Sequence, residues 1–195
     1  AAQFAAGCNL LECTKDGQLV GHLTLGRGAL DSIRLHVDPT TTNILLLGTN
    51  LLARSLALEL TLSGTSGITI ADPWDGQAAV LADAVNAIEG GHATAVEDEL
   101  PPNCESVDIV IATEEVRPFP PNFQLPELRE DLVVVDTSLD PKASSILKAA
   151  AAANSCQVDG LEVTTATMAI NFRSLTGIEP DTEALREALD EFLDY

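Results

Sequence analysis

Basic residues are scarce in this chain, with 10 Lys and Arg against 30 Asp and Glu and a formal net charge of −20. Phosphate backbones and anionic lipid surfaces are repelled by such a charge, so neither nucleic acid nor a membrane is expected as a partner. No apolar run approaches the roughly 18 residues of a membrane span, and the opening AAQFAAGCNL lacks the charged n-region of a signal peptide. A cytoplasmic protein is the expectation. Cys8, Cys13, Cys104 and Cys156 show neither CxxC spacing nor a histidine at ligand distance, which points to reduced, partly buried thiols and no metal. Aromatic residues are also few, at 4%. What is abundant is Leu, Ala, Val and Ile, within a hydrophobic share of 46%, the composition of helices packed on buried strands. At 195 residues the chain buries a real core and has room for one domain with an appendage.

The order of apolar runs is regular. Residues 9–13 and 18–24 flank Lys15-Asp16-Gly17, a turn signal, and read as a hairpin. Four short, unalternating runs follow at 44–48, 67–72, 107–113 and 132–136, as expected for parallel strands covered on both faces. Helical stretches are expected over 51–62, 76–88, 142–153, 162–175 and 182–194. Asp181 is placed to cap the last of them, and Ala184, Leu185, Ala188, Leu189 and Phe192 to form its apolar face. Pro118, Pro120, Pro121 and Pro126 mark an irregular loop. The fold class is therefore α/β, a doubly wound, mostly parallel Rossmann-like sheet with an N-terminal hairpin and C-terminal helices.

The first strand-to-helix turn carries the chemical signal. ILLLG ends at Gly48-Thr49-Asn50, and an apolar helix starts at once. In a doubly wound sheet such a turn seats a pyrophosphate on the helix N-terminus, where free N–H groups and the dipole favour an anion. The usual GxGxxG or GxGxxA reads here Gly48-x-Asn50-x-x-Ala53, so the middle glycine that admits the phosphate is an asparagine. Asp72 closes the next strand, where an acid accepts from a ribose 2′-hydroxyl and repels a 2′-phosphate, which favours NAD over NADP. The same residues also read as a tight turn at Gly48, a helix cap at Asn50 and a solvated strand end at Asp72.

From Cys8 to Tyr195 the segments resemble the C-terminal, dinucleotide-binding part of shikimate dehydrogenases. Gly160, Leu161, Val163, Ala169, Phe172, Leu175, Thr176 and Gly177 follow that family's GLGMLVxQAAxAFxLWTG without a gap, and Ile178-Glu179-Pro180 continues it. Asn9 falls on the GAVNT asparagine, a substrate contact in the family, and Asp16-Gly17-Gln18-Leu19-Val20-Gly21 fits DGxLxGxNTDGxG. As a hairpin residue, Asn9 could equally be bonding the backbone. The resemblance implies residues 1–38 as a remnant of the substrate-domain exit (a hairpin plus a linking helix), 39–160 as the dinucleotide-binding domain and 161–195 as helices packing back on the core. It also implies an oxidoreductase of the shikimate/quinate type.

The same register exposes departures. Leu25 stands where the family has the aspartate that relays a proton with a catalytic lysine, and no lysine here matches that motif. Thr167 replaces the substrate-binding glutamine, Leu139 replaces the tyrosine of DxxYxP, and the NATPxGM loop is reduced to Ala112-Thr113-Glu114, leaving Thr113 as its cofactor-side residue. Glu162 puts an anion beside the nicotinamide position, a cost of roughly a kcal/mol or more if partly buried and unpaired. Asp72-Pro73-Trp74 replaces the Asn-Arg-Thr that clamps a 2′-phosphate. The expectation is a cofactor domain whose dehydrogenase activity is weakened or lost, with a missing N-terminal domain or a second copy as partner. The alternatives are a non-catalytic binding or regulatory pseudoenzyme and a segment of a larger polypeptide of the 3-dehydroquinate dehydratase/shikimate dehydrogenase kind.

Overall fold

The computed structural model describes residues 1–96, 106–113, 119, 123, 125, 127–140 and 144–193. Cys104, Glu114, Pro118, Pro120, Pro121 and Pro126, singled out above, lie outside the described residues.

The apolar runs become the strands of one sheet: β3 (Asn43–Leu47), β4 (Gly67–Ala71), β6 (Ile109–Ala112) and β7 (Val133–Asp136). Two more strands complete it, β5 (Ala93–Val96) and β8 (Cys156–Val158). All neighbours pair parallel, in the order β5-β4-β3-β6-β7-β8. The chain enters at β3, builds one half outward through β4 and β5, then returns to the other side of β3 for β6, β7 and β8. The reversal leaves a switch point between the carboxyl ends of β3 and β6, where open α/β sheets bind ligands.

Alternation along the strands divides the core in two. Ile44 and Leu46 face α2 (Leu25–Arg34), α3 (Leu51–Leu62), α4 (Ala78–Asn86) and the start of α6 (Gly160–Thr176), whereas Leu45 and Leu47 face α5 (Ser145–Ala153). With helices on both faces, the central strands need apolar residues at every position, which is why their runs do not alternate.

Ahead of the sheet, α1 (Ala2–Ala5) precedes the expected antiparallel hairpin of β1 (Leu10–Cys13) and β2 (Leu19–His22). Thr14 N–H donates to the Gln18 carbonyl across its turn, and Gly17 takes φ +81° there. The linking helix is α2, which packs against both α3 and α6. Two glycines allow this: a Cβ on Gly26 would lie 2.3 Å from the Ser55 carbonyl carbon, and one on Gly28 2.8 Å from the Thr167 backbone nitrogen.

The last helix, α7 (Thr182–Phe192), differs from expectation in its burial. Asp181 caps it, accepting from the N–H groups of Glu183 (3.0 Å) and Ala184 (3.1 Å). Yet none of its residues is buried, and Phe192 is 82% exposed. The helix packs chiefly against α6, and its outer half stays open. Among the described residues no helix is long and apolar enough to cross a membrane.

Candidate functional site

Gly48 follows β3 with φ +104°, a left-handed conformation that a Cβ would strain, and its N–H donates to the Ala71 carbonyl at 2.8 Å. This bond draws the turns after β3 and β4 together at the carboxyl edge. Asn50 caps α3, its side-chain oxygen accepting from Ala53 N–H at 2.9 Å. The first-turn N–H groups of Leu51 and Leu52 have no acceptor within the helix and remain to receive an anion.

The Asn50 amide does a second thing that spacing could not show: its nitrogen donates to the Thr113 carbonyl just past β6. Thr113 is 1% exposed and bound in turn to the Leu47 carbonyl through its N–H and its hydroxyl, both at 3.0 Å. One side chain therefore spans the switch point from the β3–α3 turn to the end of β6. Of two concavities, one of about 500 Å³ lies among the hairpin, α2, α3 and α6 and one of about 660 Å³ among α2, α6 and α7, and neither is lined by Gly48, Thr49, Asn50, Asp72 or Thr113. The bond from Asn50, the residue at the middle-glycine position, to Thr113 crosses the edge at which a pyrophosphate would lie in a doubly wound sheet.

Asp72 is not a solvated strand end. It is 5% exposed, and its carboxylate accepts from the Thr49 hydroxyl (2.6 Å) and from the N–H groups of Trp74 (3.2 Å), Asp75 (3.0 Å) and Gln77 (3.0 Å). Four donors fill the roughly four acceptor positions of a carboxylate, so a ribose hydroxyl must displace one of them. Burial pushes this carboxyl up, but the Thr49 hydroxyl and the three backbone N–H groups outweigh it and hold it below the ordinary value. A carboxyl depressed on folding stabilises above its unfolded value, about 3.9, and loses that contribution as pH falls through the folded value. Asp72→Asn is therefore expected to cost about 1–3 kcal/mol at neutral pH in urea unfolding, with the gap to the parent narrowing below about pH 4.

Two features of this edge escaped the reading of the sequence. Arg54, in the first turn of α3, donates through Nε to the Thr49 carbonyl at 2.9 Å and puts a cation beside the turn. A basic residue opposing the helix dipole was the available signal. Trp74 stacks toward Phe119 (centroids 5.2 Å apart), which stacks on Phe123 (5.3 Å), an apolar wall beside Asp72.

The remaining candidates lie elsewhere. Asn9 accepts from Thr24 N–H (2.7 Å) and donates to the Thr24 hydroxyl (2.8 Å), which in turn donates to Asn171 Oδ1 (2.7 Å). This cluster pins the hairpin and α6 to the residue just before Leu25, the first residue of α2. Thr167 is buried against Gly28, its hydroxyl donating to the Val163 carbonyl at 2.9 Å. Glu162 is not the unpaired anion feared from the sequence: it bonds His36 Nε2 at 2.9 Å. His36 also contacts Cys156, the first residue of β8, so Glu162 is directed toward the amino ends of the strands. The structure thus joins Gly48, Thr49, Asn50, Asp72 and Thr113 in one cluster and leaves Asn9, Thr167 and Glu162 outside it.

No family model matches the chain. The shikimate dehydrogenase (NADP(+)) of Methanopyrus kandleri is 28% identical over 187 residues, covering 91% of this chain and 64% of that enzyme. The quinate/shikimate dehydrogenase (NAD(+)) of Corynebacterium glutamicum strain R is 27% identical over 199 residues, covering 96% and 68%. Among solved structures, the ligand-free 5-ketofructose reductase of Gluconobacter sp. strain CHM43 superposes with a TM-score of 0.85 at 25% identity, over 98% of this chain and 70% of that one. A shikimate dehydrogenase in complex with NADP+ gives 0.78 at 26%, over 97% and 68%. The chain spans under two thirds of the Methanopyrus enzyme's length. It is similar to shikimate and quinate dehydrogenases over nearly all of its own length and has their NAD(P)-binding fold.

Proposed function

We propose that this chain is the dinucleotide-binding part of a shikimate/quinate dehydrogenase-like oxidoreductase, with a crevice narrowed by Asn50 and no proton relay of its own for oxidising shikimate. The observation that carries this reading is a contrast within one fold. The β3–α3 turn has a left-handed Gly48 leading straight into the N-terminus of α3, as a pyrophosphate-binding turn requires, while α2 opens on Leu25, a side chain that neither gives nor takes a proton.

The residues present suit a nicotinamide dinucleotide once Asn50 gives way. Leu51 and Leu52 N–H groups would meet the pyrophosphate, Arg54 would add a positive charge, and Asp72 would lie on the ribose side. The cofactor, when bound, supplies the hydride chemistry, and the protein's share is orientation and electrostatics. Residues 1–38 then serve as the stub of a substrate domain and 161–195 as the helices that return toward it. A non-catalytic binding role follows if no other chain supplies the missing acid–base pair.

NAD is the favoured cofactor. The Asp72 carboxylate is ionised across the physiological range, and Arg54, the cation bonded at this edge among the described residues, is turned to Thr49 rather than to Asp72. A second anion brought within a few ångströms of that carboxylate costs on the order of 1 kcal/mol or more, so NAD should bind about tenfold more tightly than NADP. Titration of both dinucleotides into the chain tests this, and a clear NADP preference would remove Asp72 from the ribose side.

A further inference from the structure

Away from the carboxyl-edge crevice, three side chains from distant parts of the sequence stand in a line. Cys156 opens β8, His36 lies between α2 and β3, and Glu162 sits in the first turn of α6. Cys156 Sγ is 3.4 Å from His36 Nδ1, and His36 Nε2 is 2.9 Å from Glu162 Oε1. An ionised carboxylate only accepts, so Nε2 carries the ring proton. In the neutral ring the Nδ1 lone pair then faces the sulfur, and the thiol donates to it. Nucleophile, base and orienting carboxylate are thus in sequence, the arrangement that activates a thiol.

The far end of the line is fixed. Glu162 N–H donates to Asp159 Oδ1 at 2.8 Å, and Asp159 is paired with Arg186 at 3.4 Å. The three groups do not converge on a point: among the described residues no three of His, Cys, Asp and Glu are placed to hold a metal ion. Cys156 is partly exposed, and Glu162 and Leu35, the neighbour of His36, line the groove of about 660 Å³ that runs between α2, α6 and α7. Cys8 and Cys13 are more exposed, but among the described residues neither reaches a histidine, and Cys13 Sγ turns instead to the Thr14 carbonyl.

We propose that Cys156 is a modification site, a base-assisted thiol that exchanges with small uncharged disulfides reaching it on its partly exposed side. Exchange needs a thiolate and an approach path and, unlike acyl transfer, no oxyanion-binding donors. The Sγ proton passes to His36 Nδ1, and the sulfur bonds to one sulfur of the incoming disulfide while that S–S bond breaks. The departing thiolate takes up the proton; Cys156 ends as a mixed disulfide, oxidised as the reagent is reduced.

The experiment is native-state reaction with 4,4′-dithiodipyridine, with released thiopyridone followed by absorbance and each cysteine assigned by peptide mass mapping. Cys156 is expected to react about tenfold faster than Cys8 or Cys13 despite its lower exposure, and His36→Asn to remove that advantage while the other two rates stay unchanged. In denaturant all rates should converge. Glu162→Gln, which keeps an acceptor for Nε2, should lower the Cys156 rate by a smaller factor and supplies the test if His36→Asn does not fold. A Cys156 rate at or below those of Cys8 and Cys13 in the folded chain, or one unmoved by either substitution, would overturn the assignment.

Discussion

Purified and supplied with NAD or NADP, the chain is expected to oxidise neither shikimate nor quinate above the buffer rate. General acid–base assistance contributes about 10²–10⁴-fold to such a reaction, and Leu25 at the head of α2 provides none. The preceding residue does not substitute, because Thr24 spends its hydroxyl on Asn9 and Asn171. Thr167 spends its own on the Val163 carbonyl. Each substrate hydroxyl left without its partner removes about 1–3 kcal/mol more. Leu25→Asp alone should not restore turnover in the 195-residue chain, since none of its own lysines matches the motif that the shikimate dehydrogenase resemblance pairs with that aspartate. Robust shikimate turnover by the 195-residue chain would show that another acid–base pair has been built.

Gly26→Ala is expected to produce a large loss of stability. Alanine is better than glycine in a helix by about 1 kcal/mol, so propensity alone predicts a gain. Packing opposes it, because the new Cβ would stand 2.3 Å from the Ser55 carbonyl carbon and 2.4 Å from the Leu56 nitrogen. Both are backbone atoms of α3 that no rotamer change can move aside. Gly26 N–H also donates to the Ser55 hydroxyl at 3.0 Å, a bond lost if the helices part. Overpacking of this kind costs about 3 kcal/mol or more, and packing therefore wins. At this chain length that corresponds to a fall in Tm of roughly 10 °C, read by circular dichroism. An unchanged or raised Tm would mean that α2 and α3 separate freely.

The central strands were legible because burial on both faces forces an unbroken apolar run, and ILLLG and VVVD carry no competing pattern. The edges were not. Ala93–Val96 is partly exposed and half alanine, and Cys156–Val158 has only three residues with Gln157 at its centre, so neither presents an unbroken apolar run. Within the site, the caps at Asn50 and Asp181 could be read from residue type and position. The second use of the Asn50 amide, toward Thr113, could not, because its partner is a backbone carbonyl 63 residues away. Asp72 shows the same limit: its place at a strand end was readable, but its saturation by Thr49 and three N–H groups depends on how two loops fold over it. The line from Cys156 through His36 to Glu162 joins three elements with no sequence motif among them.

Asn50 offers the most direct test of the account. Replacing it with glycine restores the middle position of the turn and releases the Thr113 carbonyl, at a cost to the helix cap of a few tenths of a kcal/mol. Titration of NAD and NADP into the parent and Asn50→Gly chains, by calorimetry and by the fluorescence of Trp74, the chain's single tryptophan, measures the crevice itself. The account predicts weak NAD binding to the parent, binding about tenfold tighter to Asn50→Gly, and NAD ahead of NADP in both. Binding absent from both chains, or weakened by the substitution, would contradict it.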